Sequence, residues 1–162
     1  MIRQCPVPRY QRPLTEYNEL KNSFSFSWTR EEPFLFGKTL LLILIFLFCI
    51  TSVIVTNNRG WEKNQIGSFL EICISALGIF NLWILRLYFA WKYVYYRLMN
   101  ATVSYEESGW YDGQTWIKTN EILIQDRLVG TYEVLPIVNR LRIVILMSSV
   151  IILTMIYINI QN

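Results

Sequence analysis

The chain has 162 residues, a length that suits one domain, with 53% apolar and only 17% charged residues and a mean hydropathy of +0.30. A soluble domain of similar apolar content carries about 25% charge, so these figures exclude an ordinary water-soluble fold and predict a membrane protein. The net charge of +3 is too small and dispersed for a nucleic-acid partner, and the lack of histidine removes His-based acid/base pairs, Ser-His-Asp nucleophiles and His-ligated zinc or haem.

The first segment, 1–32, holds Arg3, Arg9 and Arg12 among three prolines in its opening 13 residues. It has no apolar core, so no cleavable signal peptide is expected, and the segment reads as an extended extramembrane arm. Pro33 suits the first turn of a helix, with Glu31 and Glu32 favourable beside its amino terminus. From Thr39 to Val55 no charge interrupts the apolar run, and about 20 residues at 1.5 Å each cross a bilayer core of about 30 Å. The first transmembrane helix is therefore predicted over 33–56, followed by a short link over 57–65.

A second run, Ile66 to Trp91, contains only Glu71 and Arg86 as charges. Trp83, Tyr88, Phe89, Trp91, Tyr93, Tyr95 and Tyr96 crowd its far half as an interfacial belt, which extends the predicted helix over 66–99. Glu71 is the sharpest functional candidate here, a proton or cation site facing Thr154 or Asn159. The ordinary reading, a residue that snorkels at the end of a tilted helix, is preferred because no second acid or lysine stands beside it. Asn81, with Ser75, Ser148, Ser149 and Thr154, reads as hydrogen-bond glue between helices. Cys49 and Cys73 lie in apolar runs and read as small buried apolar groups, and Cys5 as a free or acylated thiol.

Segment 100–135 is the only polar stretch large enough for a small fold of its own. Ala101, Val103 and Tyr105 alternate with Thr102, Ser104 and Glu106, and Asp112-Gly113 is a turn signal, so a hairpin is predicted over about 102–118 with Gly109 as a candidate bulge. Asn120 would cap a helix from Glu121 to about Val129, with Ile122, Leu123, Ile124 and Leu128 as its apolar face and Gly130 as its end. Trp110, Tyr111, Asp112, Trp116, Asp126 and Arg127 are the candidate partner contacts, with packing inside the cap weighed equally for the aromatics. Glu106, Glu107 and Asp112 read as solvated hairpin charges rather than metal ligands. The Asn100-Ala101-Thr102 sequon is expected to stay unmodified on the cytoplasmic-equivalent side.

The third transmembrane helix is predicted over 136–162, opened by Pro136 and bearing Arg140 and Arg142 at the headgroups. With three crossings, the arm and the central segment share one face. With their flanks, residues 1–38 and 92–142, they hold 12 Lys and Arg against two in the link, which puts both on the inside and the carboxyl terminus across the membrane. The fold class is thus a mainly α integral membrane protein with a small α+β cap between its second and third helices. No phosphate loop, nucleophile elbow or metal cluster is found, so no enzyme activity, cofactor or metal is expected.

Cys5-Pro6-Val7-Pro8, Gln11-Arg12-Pro13, Glu16-Tyr17, the stretch Tyr105 to Gln114, Trp116 and Asp126-Arg127-Leu128 together resemble the conserved hypothetical chloroplast reading frame thirty-six family. The likeness spans nearly the whole chain. Its members are encoded in algal plastids and cyanobacteria, with nuclear relatives in green plants, so the resemblance implies a plastid membrane protein whose inside face is the stroma. On this reading the protein is an accessory of a larger photosynthetic membrane complex, acting in assembly or maintenance, with lipids and that complex as partners and self-association also compatible. The alternative is a subunit of an ion-handling or transport system that uses Glu71.

Overall fold

A computed structural model describes residues 6–59, 65–106 and 113–161. Among the described residues three helices are long and apolar enough to cross a membrane: α3 (Pro33–Arg59), α4 (Gln65–Met99) and α6 (Leu135–Gln161). Their limits fall close to those read from composition, because each is set by where charges and prolines interrupt an apolar run. Pro33 opens α3 as expected, and the carbonyl of Glu32 accepts the first bond, from the Phe36 amide at 2.9 Å.

The arm departs from expectation. Its described part is mostly helical rather than extended: a single 3-10 turn (Arg9–Gln11), α1 (Pro13–Asn22), α2 (Phe24–Ser27) and a second 3-10 turn (Trp28–Arg30). Pro13 sits at the first position of α1, where its missing N–H costs nothing, Glu16 is in the first turn and Lys21 in the last. Ten residues are too few for a stable isolated helix. Tertiary contacts supply the rest.

The hairpin forms as expected. Strands β1 (Thr102–Glu106) and β2 (Gly113–Ile117) pair antiparallel, from Thr102 opposite Ile117 to Glu106 opposite Gly113. Gly113 is therefore the first residue of β2 rather than part of a two-residue turn, and residues 107–112, including Gly109, lie outside the described residues.

The predicted break at Gly130 is absent. Helix α5 (Asn120–Val129) runs through a π-helical turn (Gly130–Val134) directly into α6, and Gly130 is right-handed helical at φ −57° and ψ −46°. Pro136 lies inside this continuous helical stretch. It has no N–H to donate and its ring crowds the preceding turn. A π turn just before it widens the ladder, which is a usual accommodation for such a local conflict. Gly130 has a packing role instead: a Cβ there would meet Sδ of Met99 at 3.3 Å and Cβ of Leu98 at 3.4 Å.

The chain divides into two compact units, one of residues 1–30 with 89–139 and one of 31–88 with 140–162. In the second, the side-chain amide of Asn81 donates to the Ser149 hydroxyl at 3.1 Å, the interhelical glue expected of both, and Phe48 meets Phe69 edge to face at 6.1 Å. Leu41, Leu42, Phe46, Val53, Leu146, Met147, Val150 and Leu153 are all exposed there. So much apolar surface would be unfavourable in water.

Candidate functional site

The first unit, called the lobe below, joins the arm to the end of α4, the hairpin and α5. Period-two alternation puts Val103 and Tyr105 on one face of β1, with Trp116 opposite Val103 on β2. Val7 of the arm is buried against them and supplies the apolar cover that an isolated hairpin lacks. Tyr105 donates from its hydroxyl to the Gln114 side-chain carbonyl at 2.8 Å.

A buried ion pair ties these elements together. Nζ of Lys118, just past β2, stands 2.6 Å from Oδ2 of Asp126 on α5, and both side chains are almost fully buried. The same ammonium donates to the carbonyls of Arg97 and Leu98 at 2.9 and 3.1 Å. Those are orphan acceptors at the carboxyl end of α4, where the helix dipole favours a cation. One side chain thus joins α4, the hairpin and α5.

A second junction fastens the arm. Trp91 is fully buried; its indole N–H donates to the Thr29 hydroxyl at 3.0 Å, and its ring meets Tyr17 at 6.3 Å and Phe26 at 6.5 Å. Arg97 donates to Glu16 Oε1 at 2.5 Å and to the Gln11 carbonyl at 2.9 Å. Burial nonetheless pushes the Glu16 carboxyl upward, against the pull of Arg97. Tyr17 donates its hydroxyl to Oε2 of Glu133, and Nζ of Lys21 is 3.9 Å from the same oxygen.

Between arm and cap lies a cavity of about 270 Å³. Val7, Pro13, Leu14, Val103, Ile122 and Trp116 make its apolar wall, with Arg12, Thr15, Lys118, Gln125 and Asp126 as polar members.

Compared with known proteins, residues 5–147 match the family described as CGLD27-like, conserved in the green lineage and diatoms 27. The chain belongs to the CGLD27-like family. Among its relatives it is 44% identical to the protein named ycf36 of Cyanophora paradoxa, over 85% of this chain and 87% of that one. It is also 44% identical to ycf36 of Porphyra purpurea, over 86% and 84%. Identity is 36% to the chloroplastic CGLD27 protein of Arabidopsis thaliana, where the match spans 86% of this chain but 43% of the longer relative. No solved structure matches.

In this CGLD27-like chain the candidate contacts separate into distinct groups. Trp110, Tyr111 and Asp112, with Glu107 of the hairpin acids and Cys5 of the arm, lie outside the described residues. Trp116 is half-buried against the Val7, Val103 and Tyr105 cluster, so packing accounts for much of it. Asp126, read as a surface contact, is instead 1% exposed and paired with Lys118, because α5 turns that side of the helix onto the end of α4. Arg127 is exposed. Glu71 is half-buried and engaged, while the exposed Thr154 returns its hydroxyl to the Ile151 carbonyl at 2.8 Å.

The apolar face expected of α5 splits in the structure, and its outward part continues into the π turn. Ile122 and Leu123 are half-buried, but Ile124, Leu128 and Tyr132 are 61%, 53% and 75% exposed. Their four-residue spacing was the available signal, a stripe distinct from the positions that turn inward.

Burial and the Glu133 carboxylate both push the Tyr17 hydroxyl well above its ordinary range. The folded lobe therefore holds this proton more tightly than the unfolded chain does, and the stability it contributes, present below about pH 10, is lost as the pH rises through the folded value. Tyr17→Phe is expected to cost about 1–2 kcal/mol at neutral pH, the worth of a bond to a charged acceptor reduced by the exposure of Glu133. Thermal melts at pH 7 and above pH 10 should show a shallower alkaline decline for the variant than for the parent; equal slopes would contradict this origin.

Proposed function

We propose that this chain is an integral plastid membrane protein that docks on a larger membrane complex during its assembly or maintenance and acts by binding. The exposed stripe of Ile124, Leu128 and Tyr132 carries the docking reading. It is a compact apolar contact surface on a lobe that already buries its own core around Trp91, Leu98, Val103 and Val134. The chloroplastic relative supports plastid residence, and the three long apolar helices support membrane residence.

Placement of arm and cap on one and the same side is supported by the bonds from Trp91 to Thr29 and from Tyr17 to Glu133. Segments that touch cannot lie on opposite sides of a bilayer. With α3 and α4 as two crossings between them, arm and cap then share the face rich in Lys and Arg, and α6 carries the carboxyl terminus across.

The test is mild crosslinking of the protein in its own membranes, followed by detergent extraction and recovery of the tagged chain. It should migrate in a species far larger than its own 19.3 kDa. Ile124→Ser with Leu128→Ser and Tyr132→Ser should release it from that species while leaving it resistant to alkaline carbonate. Recovery of the parent only as a free monomer would overturn the proposal.

A further inference from the structure

The cavity between arm and cap has the make-up of a ligand site. Its wall is apolar and partly aromatic, and its few polar groups converge from three directions: Arg12 and Thr15 of the arm, Lys118 after the hairpin, Gln125 and Asp126 of α5. Such a mixture, a largely apolar concavity with a small number of placed polar groups, is the common form of small-molecule sites. At about 270 Å³ it falls just below the range of about 300–1,000 Å³ that holds drug-sized ligands, so its occupant is small.

Charge narrows the class. Lys118 and Asp126 neutralise one another, and the ammonium is further committed to the carbonyls of Arg97 and Leu98. Arg12 uses Nε to donate to the Val7 carbonyl at 3.2 Å, and among the described residues its two terminal amino groups donate to none. One guanidinium edge therefore remains for a ligand, and the lining carries a single net positive charge. A guanidinium edge binds a carboxylate through two parallel bonds, while an apolar body would lie along Trp116, Val103 and Ile122.

We propose that this cavity binds a small monocarboxylate with a compact apolar or aromatic body, its carboxylate on Arg12. Because the wall is built by arm and cap together, such a ligand binds only when the arm is docked, and by linkage it holds the arm in place. Binding and docking on a partner complex are separate properties, since the cavity does not include the Ile124, Leu128 and Tyr132 stripe.

The experiment uses the full chain in lipid nanodiscs, with empty nanodiscs as the control for partitioning. Equilibrium dialysis with labelled phenylacetate and 3-phenylpropionate should show saturable binding of one molecule per chain, and the neutral 2-phenylethanol should bind far more weakly. Arg12→Gln should weaken acid binding by about tenfold to a hundredfold, the worth of hydrogen bonds to a charged group. Ile122→Trp, which fills the cavity while leaving Arg12 itself unchanged, should abolish binding in a lobe that still melts cooperatively. Saturating acid should slow trypsin cleavage in the arm of the parent and leave the Ile122→Trp protein unchanged. No saturable binding by the parent, equal binding of acid and alcohol, or undiminished binding by either variant would each overturn the assignment.

Discussion

Replacing Lys118 by Met is expected to cost the lobe about 3–5 kcal/mol, the usual consequence of removing one member of a buried ion pair. Nζ of Lys118 serves three acceptors, Asp126 at 2.6 Å and the Arg97 and Leu98 carbonyls at 2.9 and 3.1 Å. Without it, a carboxylate that is 1% exposed has no counter-charge, and the end of α4 loses its cap. Lys118→Met with Asp126→Leu should recover most of the loss, because the isolated buried charge is then gone and the remaining side chains can pack as apolar groups. The single variant should also recover partly on acidification, as the stranded carboxyl takes up a proton. Near-ultraviolet circular dichroism of the detergent-solubilised protein through thermal unfolding would measure all three effects. A single variant as stable as the parent, or a double variant no better than the single, would show that the pair is not the linchpin of the lobe.

Trp91→Ala should have an effect of similar size, about 3–5 kcal/mol for a fully buried aromatic, and it should act chiefly on the arm. The indole touches the Tyr17 and Phe26 rings and donates to Thr29, so its removal undoes the contacts of α1, α2 and the turn after them at once. Trp91→Phe keeps one aromatic ring but loses the hydrogen bond and the packing of the second ring. Thr29 still donates to the Phe26 carbonyl at 2.6 Å, and the expected cost is about 2 kcal/mol, less than for Ala. Limited trypsin digestion reads the difference. Cleavage after Lys21 and Arg30 should be fast in the Ala variant, slow in the parent and intermediate in the Phe variant. Equal rates in all three would mean that the arm is held by something other than Trp91.

Much of the architecture is legible residue by residue. The charge-free stretch from Thr39 to Val55, the run from Ile66 to Trp91 and the run from Ile143 to Ile160 each exceed what a soluble helix needs to bury, so length and composition alone locate α3, α4 and α6. The alternation around Val103 and Tyr105 likewise gives β1 its inward face. These signals are local, because each element's own residues carry them.

The arm and the site were not legible in this way. Prolines at positions 6, 8 and 13 suggest an extended leader, whereas α1 exists because Tyr17 is buried against Trp91, a residue 74 positions further along, and bonds to Glu133. Asp126 looks like a surface acid until Lys118 is placed beside it, and Gly130 looks like a helix stop until Leu98 and Met99 pack where its side chain would be. The long apolar helices and the hairpin were determined by sequence alone, since hydropathy and periodicity are properties of contiguous residues. The ion pair under the cap, the docked arm, the cavity between them and the uninterrupted passage through Pro136 were decided only by tertiary structure, because each depends on groups from distant segments whose pairing energy no single stretch of chain encodes.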